Sequence, residues 1–267
     1  MRTSRLQNVS VTSRRTEMEY HSNENGLIVD VSGCVMKITH NRPHLKNGGD
    51  WRSLRETAKA YQLAIDNPEE IRCIVIAGSN GYWNTGGRVL SDDPEERRNY
   101  ADAIKESMEV KKKLRQPIIA AVNGDCLKGG MGLLVSADLA VAVDTAKFGL
   151  PEMRMGGVPM VVMAQIMSIP KKLLLEACYS SEYFDAQTAY RMGLVNAVVS
   201  EEEFWPTVEK YVRMITDNSP ALVQMTHDAY YELAKVFDDD ERAALAQKLL
   251  KEKVLPQMAK EKTTYNV

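Results

Sequence analysis

The chain has 267 residues, 44% hydrophobic and 26% charged, the balance of an ordinary globular protein and compatible with one large α/β unit. Thirty-four basic against thirty-six acidic side chains leave a net charge of -2, so no bulk field directs the molecule to nucleic acid or to an anionic membrane. Charge or Gly interrupts every apolar stretch well before the roughly eighteen residues that a membrane span needs, and the expectation is no membrane partner.

The opening MRTSRLQNVSVTSRRTEMEY carries arginines but no apolar run of a secretory signal, and residues 1–24 read as an N-terminal arm. LIVDVSGCVMKITH (27–40) alternates around a central Ser-Gly and predicts the two strands of a hairpin. Pro43 cannot donate to a ladder and ends the second strand. Asp50 is placed to cap a helix over 51–66, where Trp51, Leu54, Ala58, Tyr61 and Ile65 recur at helical spacing. IRCIVIAG (71–78) is a compact β-branched run, the pattern of a strand covered on both faces. A helix follows over 95–114, a strand at IIAAV (118–122), a Gly-rich turn at 124–132, a helix-like segment at 129–136 and a strand at LAVAV (139–143). This alternation argues for an α/β fold with a parallel or mixed sheet and crossovers.

Beyond Pro151 the pattern turns helical, near 158–168, 171–177, 185–191, 201–217 and 219–262, with LVNAVV (194–199) the one further strand. The expected organisation is therefore an arm (1–24), an α/β core (25–199) and a helical C-terminal region (200–267). Leu222, Met225, Ala229 and Leu233 share one face of that region, and the methionines between 153 and 167 read as adaptable core or subunit packing. Cys34, Cys73, Cys126 and Cys178 are widely spaced in apolar runs, without metal-knuckle or redox spacing; they read as buried free thiols of a reducing, cytoplasmic compartment. With four histidines and no HExxH, no metal is expected.

Two strand ends carry candidate chemistry. The first is Ser79-Asn80-Gly81-Tyr82-Trp83-Asn84-Thr85-Gly86-Gly87-Arg88, and the second is Asn123-Gly124-Asp125-Cys126-Leu127-Lys128-Gly129-Gly130-Met131-Gly132. Ligands of α/β sheets bind beyond the carboxyl ends of strands. One backbone N–H from each loop, aimed at a common point, makes an oxyanion hole; tight-turn geometry alone also explains the glycines. Neither loop is a dinucleotide or P-loop fingerprint. A third element, Phe148-Gly149-Leu150-Pro151-Glu152, sets a carboxylate after a rigid Leu-Pro pair, either over a cleft or in a solvent-facing loop. No Ser–His–Asp or Cys–His arrangement shows itself, and no GxSxG elbow.

Taken together, these pieces resemble the enoyl-CoA hydratase/isomerase (crotonase) superfamily over roughly residues 25–262. ITHNRP (38–43), WNTGG (83–87), IIAAVNGDCLKGG (118–130), ADLAVAVDTAKFGLPEMRMG (137–156) and AYRMGLVNAVV (189–199) are similar to its motifs, in family order. The resemblance implies a crotonase-like spiral ββα core with a helical C-terminal trimerisation region. It also implies an acyl-CoA thioester substrate, no resident cofactor because CoA is carried by the substrate, and homotrimers that pair into hexamers. Thr85 and Gly129 match the positions whose N–H groups hold the thioester oxygen, and Glu152 matches the second of two family glutamates. Lys46 and Asn47 match the CoA-contact region.

The first family glutamate falls where this chain has Gly132. That departure shifts weight to a single acid/base group, Glu152, with Asp125 as a substituting carboxylate. Arg88 stands where the family often has an acid; it either receives a substrate carboxylate or faces solvent or a neighbouring subunit. Trp83 and Tyr82 either line an acyl pocket or pack in the core. The expected activity is double-bond isomerisation or hydration and dehydration of an enoyl-CoA. Decarboxylation or C–C hydrolysis of a CoA thioester is the alternative, and a non-catalytic acyl-CoA-binding paralogue is the reading from another class.

Overall fold

The computed structural model describes residues 19–87, 93–160, 163 and 169–265, with side chains to residue 260. The first three strands, β1 (Tyr20–Glu24), β2 (Leu27–Ser32) and β3 (Val35–His40), form an antiparallel meander. The end of the expected N-terminal arm is thus a strand, because Tyr20–Glu24 completes the free edge of β2. Parallel strands then extend the sheet from β3 through β4 (Cys73–Ala77), β6 (Ile118–Val122), β8 (Leu139–Val143) and β11 (Ala197–Val199). All five residues of β4 and of β6 are buried, as their unbroken apolar runs require of strands covered on both faces. β11 is shorter than LVNAVV suggested. Leu194 and Val195 pack in the core, and pairing begins only at Asn196, whose side chain and N–H both engage Ala140.

Helix α1 (Trp51–Asp66) starts at Asp50, whose carboxylate accepts the Ser53 N–H while the Ser53 hydroxyl receives the Asp50 N–H. It packs along α2 (Pro94–Lys111) and buries Tyr61 and Ala64 against the sheet. Helix α3 (Gly129–Val135) links β6 to β8. Helices α4 (Lys171–Ser180) and α5 (Ala186–Arg191) follow, and α6 (Glu201–Thr216) lays Phe204, Val208, Val212 and Ile215 into the core. The single helical stretch expected over 219–262 is three helices, α7 (Pro220–Leu233), α8 (Asp239–Leu249) and α9 (Leu255–Tyr265). Asp238 caps α8 through the Glu241 N–H, which makes the first break, and a π-helical turn at 250–254 makes the second. The helix expected over 158–168 falls largely outside the described residues.

A second, four-stranded sheet has the order β10 (Tyr183–Asp185), β9 (Lys147–Gly149), β7 (Asp125–Leu127), β5 (Tyr82–Asn84). Its strands have three residues each, and β5, β7 and β9 run parallel. No described helix is long and apolar enough to cross a membrane.

Candidate active site

The small sheet organises the candidate residues. Thr85 directly follows β5, Gly129 comes two residues after β7, and Glu152 three residues after β9. Three parallel, adjacent strands therefore deliver all three residues from their carboxyl ends. Register is locked at this point by the Lys128 N–H, which donates to the Gly149 carbonyl at 3.0 Å and ties the residue before Gly129 to the strand before Glu152.

Thr85 is buried, and its hydroxyl donates to the Lys46 carbonyl at 2.8 Å. Asn84 Oδ1 accepts the Gly86 N–H at 2.8 Å, which turns the loop tightly. Among the described residues, the Thr85 N–H has no hydrogen-bond partner. Gly129 opens α3, and first-turn N–H groups have no acceptor within their own helix. The two loops touch. A Cβ on Gly86 would meet the Gly129 nitrogen at 2.6 Å, and Gly86 has φ +84, so glycine is required there twice over. Two unpaired donors on touching loops can stabilise negative charge that develops on one oxygen.

Glu152 begins a short 3₁₀ turn, and its carbonyl accepts the Met155 and Gly157 N–H groups at 3.0 and 2.8 Å. The backbone is thereby fixed while the carboxyl group stays uncommitted: Oε2 is buried and has no partner among the described residues. Burial pushes the carboxyl pKa above the ordinary glutamate value, opposed by its own backbone N–H and by the charge of Lys128. A carboxyl group whose pKa is raised in this way is suited to take and return a proton.

The other candidates divide. Lys46 is exposed beside Thr85, in a left-handed conformation, with its ammonium 5.7 Å from the centre of the Tyr82 ring. Asn47 is buried and fully used by the fold: its Oδ1 accepts the Arg42 N–H, and its Nδ2 donates to the Ser79 and Tyr82 carbonyls. That amide clamps the loop and leaves no donor for a ligand. Asp125 does not join the other three residues, because its Oδ1 accepts the Lys147 N–H at 3.1 Å and braces β7 against the start of β9. Trp83 is wholly buried, with its indole N–H on the Ile76 carbonyl at 2.9 Å; it is core and not acyl pocket. Gly132 is buried within α3. Arg88 lies outside the described residues.

A cavity of about 1030 Å³ adjoins the loops and is lined by Gly86, Gly87 and Gly129. Sequence reasoning missed its polar wall. His40, at the end of β3, lines this cavity beside Asn84 Nδ2 at 3.4 Å, and burial lowers its pKa to about 4, so it is neutral at physiological pH. Tyr61 lines the same cavity, and its hydroxyl is buried with no partner among the described residues. Tyr100, from α2, sets its hydroxyl so close to Gly87 that a Cβ there would collide with it. These residues come from separate elements, and only the helical spacing that singled out Tyr61 as inward-facing pointed toward any of them.

Paired N–H donors beside a carboxyl group of raised pKa define a site for chemistry in which a proton leaves carbon and charge builds on oxygen. The chain belongs to the enoyl-CoA hydratase/isomerase family, whose model matches residues 30–264, and is an acyl-CoA-processing enzyme of the crotonase superfamily. The short-chain-enoyl-CoA hydratase of Clostridium acetobutylicum is 28% identical over 212 residues, covering 77% of this chain and 80% of that protein. The carnitinyl-CoA dehydratase of Citrobacter koseri is 28% identical over 207 residues, covering 74% and 77%. The fold matches a solved enoyl-CoA hydratase subunit of Geobacillus kaustophilus with a TM-score of 0.76 at 25% identity, covering 92% of this chain and 97% of that one.

Proposed function

We propose that the protein catalyses the reversible addition and elimination of water across the α,β bond of an acyl-CoA thioester, with Glu152 as the single acid/base. The observation that carries this reading is the delivery of Thr85, Gly129 and Glu152 from three adjacent strand ends, with Glu152 Oε2 buried and without a partner among the described residues. In the elimination direction, Glu152 takes the proton from the α-carbon. The electron pair moves onto the thioester oxygen, where the Thr85 and Gly129 N–H groups hold the enolate. The enolate then collapses to the α,β double bond and expels the β-hydroxyl, which leaves as water with the proton returned by Glu152. Hydration is the reverse. One carboxyl group suffices because the proton it takes is the proton it returns, and CoA arrives with the substrate rather than as a resident cofactor.

A hydratase or dehydratase reading is supported by the named relatives, which are a hydratase and a dehydratase. A second reading, double-bond isomerisation, is favoured by Gly132, which supplies no second carboxylate to hold a water. Exposed Lys46 beside Thr85 is suited to the phosphates of CoA. Free, mostly buried thiols fit a reducing, cytoplasmic setting.

The test is a mass-spectrometric time course on a panel of enoyl- and hydroxyacyl-CoA thioesters in heavy water, comparing the natural chain with Glu152→Gln. Gain or loss of one water is expected, with the rate reduced about 10²- to 10⁴-fold by the substitution. Deuterium uptake with bond migration and no added water would select isomerisation. Tight CoA binding with no turnover of any thioester would refute both in favour of a binding paralogue.

A further inference from the structure

The cavity beside the loops does not end in an apolar wall. It runs along α3, lined by Gly129, Leu133 and Val135, to Ser136 and Asp138 at the amino ends of β6 and β8. From Gly129 to Ser136 the helical rise alone amounts to about 10 Å. An acyl chain that leaves a thioester held at Gly129 therefore reaches the far end if it is of medium length.

That far end is polar and built. Lys111, in the last turn of α2, is half-buried, and its ammonium donates to the Ser136 carbonyl at 2.6 Å. Burial brings its pKa down to about 8, opposed by the negative charge of Asp138. Asp138 is itself committed, accepting the Ile118 N–H at 2.7 Å and the Tyr231 hydroxyl at 2.7 Å, with His227 Nε2 at 3.4 Å. His227 Nδ1 is buried and unpartnered among the described residues; the nearest carboxylate oxygen, on Asp228, is 3.9 Å away and engaged with Arg115. Glu232, also on the wall, pairs with Lys253. What remains on the cavity wall is the half-buried Lys111 ammonium, whose hydrogen bond goes to a neutral carbonyl. An anion at that place gives the cation a charge-assisted hydrogen bond that the carbonyl does not.

Resting on the acyl-CoA reading above, we infer that the preferred substrates are thioesters of medium-chain dicarboxylic acids, whose distal carboxylate is received by Lys111. The far end of the cavity thus selects the acyl group, and Lys111 is a specificity-determining residue remote from the reacting carbons.

Binding of saturated thioesters separates this inference from turnover. Isothermal titration compares octanoyl-CoA with suberyl-CoA, its counterpart of equal chain length with a distal carboxylate, on the natural protein. Suberyl-CoA is expected to bind at least about tenfold tighter, the worth of one charge-assisted hydrogen bond in a buried site. Lys111→Met is expected to abolish that preference while leaving octanoyl-CoA and free CoA binding unchanged. Lys111→Gln, which keeps a donor for the Ser136 carbonyl but no charge, is expected to lose the preference as well and serves if the methionine variant does not fold. Equal affinity of the two thioesters, or a preference that survives both substitutions, overturns the inference and leaves the thioester reading standing. Failure of both thioesters to bind overturns the thioester reading and the inference with it.

Discussion

Lys128 is the charge that acts on Glu152, and its influence is testable. Burial raises the Glu152 carboxyl pKa, and the Lys128 ammonium is one of the two influences that hold it down. Removing a proton from carbon requires the carboxylate form, so the rate of elimination falls as pH drops through that pKa. The acid limb should therefore lie above the ordinary glutamate range of about 4.3. Lys128→Met removes the cation but keeps a long side chain and the N–H bonded to Gly149. The Glu152 pKa then rises and the acid limb moves to higher pH, so the loss of rate is greatest in acid and smallest above neutrality. A pH profile of kcat for the two proteins checks this; an unmoved limb, or one displaced to lower pH, counts against the assignment of Glu152 as the base.

At the scale of elements, local sequence specifies some starts and not others. Asp50 was legible as a cap, and it does more than cap. Its Oδ2 pairs with Arg42 Nη2 at 3.0 Å, with the two side chains only 5% and 12% exposed. Asp50→Ala removes the N-terminal bond of α1 and leaves a buried guanidinium unpaired, for an expected loss of about 3–5 kcal/mol. Asp185→Ala, at the exposed cap of α5, loses its bonds to the Thr188 N–H and side chain and should cost about 1 kcal/mol. Urea denaturation with unchanged m-values measures both; equal losses would show that the Arg42 pair contributes nothing. The long strands β4, β6 and β8 were legible for a different reason, since five consecutive apolar residues, buried throughout in β4 and β6, leave little choice of structure. The three-residue strands β5, β7 and β9 were not. Tyr82–Asn84 and Lys147–Gly149 are too short to show a period, and their partners lie tens of residues away. The candidate site stands on those strands; the two strand-end loops and Glu152 stand out in the sequence, the roles of Thr85 and Gly129 come only through resemblance to a family, and the sheet that joins them is not foreseen. The resemblance sets Asn47 in the CoA-contact region and the sequence leaves Trp83 between acyl pocket and core, because it does not reveal that an amide or an indole N–H is already satisfied inside the fold.

The whole molecule carries an imbalance in its C-terminal helices. Within the chain, α7 has no fully buried residue and α8 has one, Leu249. Phe237 is 93% exposed and Tyr230 67%, and Leu250, Leu255 and Met258 are exposed on the helices that follow. Helices of this length owe most of their stability to packing of an apolar face, and these faces lack enough partner surface in their own chain. We predict that self-association through the C-terminal region supplies that surface, as the trimer or hexamer implied by the family resemblance would. Light scattering should then give a multiple of the chain mass, and Tm should rise with protein concentration, because assembly stabilises by mass action. Burying a phenyl ring contributes about 1.5–3 kcal/mol, so Phe237→Asp should weaken association by roughly ten- to a hundredfold and make the assembly dissociate on dilution. Hydrogen exchange in α8 and α9 should accelerate in that variant before exchange in β4 or β6 changes, because the core strands are packed by their own chain. A monomer whose Tm is independent of concentration would instead require that the C-terminal helices hold together without any partner.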